Sequence, residues 1–193
     1  MSTATLPVSC AVALKEWATV LEAMARGEQL LLIRKGGLIE PGTGFELISS
    51  TFVFYPTFEH QAVIYLRPLY QGYVEHAATR RAPEGQVRFE LFGIAGASQL
   101  VRDPALIERL GAFHIYNDAF VSQRLKWQPD QPLILVPVRV YRLASPQLVP
   151  VASRYAGCKS WVELEQALSL TGASPVLEEA TFTQRLAKIQ ALC

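Results

Sequence analysis

Glu59, His60 and Gln61 come directly after an apolar, strand-like run, FVFYP at 52–56. An acid, an imidazole and an amide at a strand end could move a proton or orient a phosphate. The same trio also reads as the first turn of a helix. Thr57 would cap it, Glu59 would complement the helix dipole, and His60 and Gln61 would meet orphan backbone groups. Arg34 and Lys35 leave a second apolar run, and Gly36 and Gly37 follow. Two cations beside closely approachable backbone N–H groups could hold an anion such as phosphate; the alternative is a tight turn with solvated cations. The stretch is not a phosphate loop, because neither GxxxxGK[ST] nor GxGxxG occurs there. Lys35 and His60 each follow a buried strand end, and are expected beside one pocket.

His114 and Asp118 are four apart and would share a face on a continuous helix, as an acid/base pair can. Asn117 between them reads as a helix cap, which would break that helix and leave a structural hydrogen bond instead. Arg124, Lys126, Trp127, Tyr155, Lys159 and Trp161 interleave cations with aromatics. A single-stranded nucleic acid needs that combination, charge for its backbone and flat faces for its bases. Equally, the tryptophans could be core, with the cations snorkelling around them. A restriction-type nuclease needs an ExK or DxK triplet, and the chain has neither.

Charge narrows the partners. Over residues 119–162, Arg124, Lys126, Arg139, Arg142, Arg154 and Lys159 face one acid, Asp130, a local +5. The whole chain is +1, so the remainder is −4, and a basic surface would be local. Cys10, Cys158 and Cys193 lie far apart, without metal-ligand spacing. No metal and no cofactor is expected, and reduced thiols fit a cytoplasmic protein. The N-terminal stretch lacks the basic and apolar regions of a signal peptide, and no apolar run reaches 18 residues, so no membrane partner is expected.

The elements that must position these residues follow from periodicity. Leu14, Trp17, Ala18, Leu21 and Met24 form a helical stripe that Gly27 stops. QLLLIR at 29–34 reads as a buried strand, and residues 51–55 as another that Pro56 ends. FEHQAVIYL reads as a helix closed by Pro68. Residues 87–92 alternate as a half-buried strand. Asp103 and Pro104 open a helix that Gly111 follows, and Asn117 caps the next. Residues 133–142 are the strongest strand, in which Pro137 requires an edge or a bulge. Ser160 and Glu163 form a capping box, so SWVELEQAL reads as a helix. A last helix, about 180–192, turns Leu186 and Ile189 inward. Strands and helices mix without regular alternation. The expected class is therefore α+β, one domain over 14–193 with a mixed or antiparallel sheet flanked by helices, after a tail at 1–13.

In order and spacing, LKEW, LLIRKGG, FVFYPTFEHQ, HIYNDAFVSQRLKW, RVYRL and YAGCKSWVEL resemble the domain of unknown function 1802 family, from about Leu14 to the last helix. That resemblance implies a bacterial, including cyanobacterial, source. It also implies a nuclease partner in DNA restriction or defence, since some relatives are joined to a restriction-type endonuclease domain. The reading that combines residues and resemblance is a module binding nucleic acid or a nucleotide-like anion. The alternatives are an enzyme acting on a phosphorylated small molecule, with His60 as acid or base, and a protein-binding adaptor.

Overall fold

The computed structural model describes residues 6–35, 46–59, 61–157 and 159–193. Its elements are β1 (Ser9–Trp17), α1 (Ala18–Ala25), β2 (Leu31–Arg34), β3 (Thr51–Thr57), α2 (Tyr73–Thr79), β4 (Gln86–Ala95), β5 (Gln99–Val101), α3 (Pro104–Arg109), α4 (Asp118–Lys126), β6 (Leu133–Pro150), β7 (Trp161–Ser169), β8 (Ser174–Pro175) and α5 (Glu179–Leu192). One mixed sheet runs β2-β6-β4-β3-β1-β7, with β5 and β8 also paired to β6. β1 and β3 are parallel, and the other named pairs are antiparallel. The protein is thus a single α+β domain, as its residue pattern predicts.

The sheet separates two cores. Phe52 and Phe54 pack on one side with α1, α3 and α4, while Val53 packs on the other with Phe89, Tyr141 and Val162. Burial on both faces is why β3 reads as an unbroken apolar run. Pro137 sits opposite the gap between β4 and β5. Ala95 of β4 pairs with Val138 and Gln99 of β5 with Leu135, so four residue steps from β4 to β5 match three along β6. The missing N–H falls where β6 changes partner from β5 to β4. Helix signals with local chemistry also hold. Asp103 accepts from Ala105 N–H and Asn117 from Phe120 N–H, and Gly27 leaves α1 at φ +71°.

Several sequence expectations need correction. LKEW is the end of β1, not the start of a helix, and residues 9–13 belong to that strand rather than to a tail. The helical stripe is real only from Ala18 onward. Residues 161–169 form β7, because Val162 and Leu164 alternate with exposed Glu163 and Glu165 and pair with β1; tertiary pairing overrides the capping box. β3 runs through Pro56 to Thr57, and FEHQAVIYL forms no α-helix among the described residues, only a 3₁₀ turn at Val63–Tyr65. Thr57 is not a cap: its hydroxyl donates to the Glu16 carbonyl at 3.1 Å and extends the β1–β3 pairing.

Candidate functional site

The site begins as a split in the sheet. β3 pairs with β4 only from Thr51 to Val53. Beyond Val53, β3 follows β1 out to Thr57 while β4 stays on β6. The open edge this leaves on β3 tolerates Pro56, which has no N–H to offer. Between the diverging strands lies a cleft of about 1130 Å³. Its walls are Phe54–Glu59 and Gly85–Leu91. It is closed by the end of β1, the start of α1, the end of α4 and part of 155–160. The parallel pair thus opens its C-terminal ends into the cleft, the usual position of a ligand site on parallel strands.

Most charges in the cleft are held by protein. The Arg34 Nη2 atom lies 3.2 Å from Glu16 Oε2 and donates to the Lys15 carbonyl at 2.5 Å. Glu16 Oε1 accepts from Trp17 N–H at 2.8 Å, so that carboxylate is fixed from both sides. Lys15 Nζ donates to the carbonyls of Tyr155, at 2.5 Å, and Gly157, at 3.0 Å, and lies over the Tyr55 ring. Lys159 donates to the Arg154 carbonyl. On the α2 side, Arg80 bridges Glu22 and Glu90, and Arg88 also holds Glu90. Those guanidinia keep the Glu90 carboxyl below its ordinary range against the opposing effect of its burial.

Two residues at the end of α4, Arg124 on its last turn and Trp127 directly after it, are different. Arg124 lies over the Phe120 ring, 5.1 Å from its centroid, and its buried Nε has no hydrogen-bond partner among the described residues. Trp127 is half-buried in the cleft and makes no ring contact among the described residues. Trp17, by contrast, packs against Tyr65, Tyr116 and Phe120. Trp161 packs against Phe52 and donates its Nε1–H to the Glu46 carbonyl. Directly after Trp127, Gln128 takes φ +49°, a left-handed turn costing about 1–3 kcal/mol for a residue with a side chain.

Of the residues singled out from sequence, Arg34, Glu59, Arg124, Trp127 and Lys159 line this cleft. Others do not. Lys35 is buried and donates to the Leu125 carbonyl at 2.9 Å, capping the end of α4 instead of facing the cleft. Burial, reinforced by Arg102 and Arg124, pushes its amine below the usual lysine value. The Gln61 side-chain oxygen accepts from Thr19 N–H and its hydroxyl, serving the first turn of α1. His114 is buried between the Ile107 carbonyl and Tyr116 N–H, and Asp118 is exposed on the first turn of α4. Asn117 starts α4 after His114, so the two share no helical face. Lys126 is exposed away from the cleft. Gly36, Gly37, His60 and Cys158 lie outside the described residues.

Sequence reasoning missed Lys15, Glu16, Trp17 and Arg81 as cleft residues. LKEW carried a signal, since a cation, an acid and an aromatic end an apolar run. Reading it as helix scattered those side chains around an axis rather than setting them at a strand end. The 119–162 charge is also less concentrated than its sum implies. Arg139 pairs with Glu179, Arg142 donates to the Ala25 carbonyl and Arg154 approaches Glu165.

Fold and cleft define a class: a single α+β domain whose split sheet presents a polar, aromatic-rimmed cleft. The chain belongs to the family described as Domain of unknown function (DUF1802), whose model matches residues 13–188. No curated protein and no solved structure matches it. Five of the six stretches behind the resemblance supply cleft residues: Lys15–Trp17 of LKEW, Arg34 of LLIRKGG, Phe54–Glu59 of the FVFYP stretch, Arg124 and Trp127 at the end of α4, and Tyr155–Gly157 with Lys159 and Ser160.

Proposed function

We propose that this protein binds a nucleotide-like anion, a ligand with a flat ring and a phosphate, in the cleft of the split sheet. One observation carries the reading. Separate stretches of sequence meet at one concavity of ligand size, where Lys15, Arg34, Arg124 and Lys159 stand beside Trp17, Tyr55, Trp127 and Tyr155. A bounded cleft fits a small ligand or a strand end better than a long polynucleotide, and the dispersed cations of 119–162 offer no continuous track for one.

The test is a thermal-shift screen of nucleotides, sugar phosphates and short DNA and RNA oligomers, followed by hydrogen exchange on the hits. A ligand at a hundred times its Kd adds about 2.7 kcal/mol, or roughly 5–10 °C in Tm for a chain of this size. Protection is expected at Lys15–Trp17, Tyr55–Glu59 and Arg80–Arg88. No hit, or protection confined to other segments, overturns the reading.

A second reading is turnover of a phosphorylated small molecule. The fixed Glu16 carboxylate on the cleft wall favours it, because a proton-moving site needs a positioned acid or base. Glu16→Gln should then abolish turnover while leaving ligand affinity within a few-fold. Equal turnover by the variant removes this reading.

A further inference from the structure

Seven basic and five acidic residues line the cleft. Arg34 is joined to Glu16 at 3.2 Å, whereas Arg124, at the α4 end of the cleft, makes no ion pair among the described residues and packs on the Phe120 ring. Arg124 also lacks a partner for its buried Nε, and Trp127, three residues further on, lacks a ring partner, both among the described residues.

Resting on the cleft reading above, we propose that Arg124 and Trp127 form the recognition pair for a nucleoside monophosphate, the guanidinium taking a terminal phosphate monoester and the indole stacking on the base. A monoester carries close to two negative charges at pH 7, its second pKa being about 6, whereas a phosphodiester carries one. A cleft lined by more cations than carboxylates, with an unpaired arginine at one end, therefore favours the end of a mononucleotide over the interior of a nucleic acid. Packing against Phe120 holds the guanidinium plane, and with Nε buried, its outer nitrogens are left to make the two-pronged contact that arginine offers phosphate. Trp17 and Trp161 cannot serve as the plate, because neighbouring rings already cover them.

Calorimetric titration of the full chain tests this. The probes are the four ribonucleoside 5′-monophosphates, their parent nucleosides, ribose 5-phosphate, a 3′,5′-cyclic nucleotide and a single-stranded oligodeoxynucleotide without a terminal phosphate. At least one monophosphate should bind about tenfold or more tightly than its nucleoside and the cyclic diester. Arg124→Gln should reduce that monophosphate to the level of the nucleoside while leaving the nucleoside unchanged. Trp127→Leu should weaken monophosphate and nucleoside alike, by about tenfold, and leave ribose 5-phosphate unchanged. Circular dichroism and Tm of both variants should match the parent, since neither side chain is fully buried. A diester or oligomer that binds as tightly as the monophosphate overturns the monoester assignment. If a monophosphate protects the cleft in hydrogen exchange yet survives both substitutions, the cleft remains the site and this pair is excluded. If no probe binds, the cleft reading falls and takes the pair with it.

Discussion

His114 illustrates what burial does to an imidazole surrounded by backbone. Its Nδ1 accepts from Tyr116 N–H, so Nε2 carries the proton and donates to the Ile107 carbonyl at 2.9 Å. Desolvation, reinforced by Arg67 among other contributions, pushes its pKa down to about 4 from an ordinary 6.5. The unfolded chain therefore binds a proton at His114 between pH 6.5 and 4 that the folded protein does not. Stability from this group is fully present above pH 6.5 and declines as pH falls toward 4, by up to about 3 kcal/mol at 1.36 kcal/mol per pH unit. Urea unfolding at pH 7 and pH 4.5 should show that loss, and His114→Gln should shrink it markedly. An unchanged pH dependence in the variant would assign the loss to other groups.

At the scale of elements, the divergence of β3 from β4 opens the cleft, and the adjoining stretch where they still pair must be tight. Gly93 supplies that closeness. A Cβ there would stand 2.6 Å from Val138 Cγ1, 3.0 Å from the Phe54 ring and 3.1 Å from the Phe52 ring. Gly93→Ala should destabilise by about 1–3 kcal/mol, the usual cost of overpacking. A loss below 0.5 kcal/mol in denaturant unfolding would mean that β3 and β4 part there more easily than their packing indicates. The opposite wall depends on charge. Glu22 of α1, almost fully buried, holds Arg26, His76 and Arg80 and so ties α2 to α1. Glu22→Gln should cost about 1–3 kcal/mol. It should also raise hydrogen exchange in Tyr73–Thr79, because Arg80 would keep only Glu90.

For the whole molecule, both cores abut one continuous sheet, so neither can unfold while the other keeps its wall. Thermal and denaturant unfolding should give one transition, coincident by tryptophan fluorescence and far-ultraviolet circular dichroism. Two separated transitions, or a proteolytic cut that releases two folded halves, would contradict a single domain.

The sequence by itself determined the parts whose physics is local. Strands within 29–34, 51–55, 87–92 and 133–142, the caps at Asp103 and Asn117 and the Gly27 stop are written in periodicity, short-range hydrogen bonding and backbone restriction. It also singled out Arg34, Arg124, Trp127 and Lys159 as chemistry-bearing residues. Tertiary structure alone decided where it conflicts with that local grammar. Strand pairing with β1 turned a capping box into β7, and pairing with β3 turned LKEW from a helix start into a strand end. It also decided which polar residues line the cleft. Lys35, Gln61 and His114 look as functional in sequence as Arg124 does, but each meets backbone or a hydroxyl inside the fold, while Arg124 and Trp127 meet the cleft. The reason is that a side chain's partners come from every element folded against it, and residue type and spacing along one chain do not encode which elements those are.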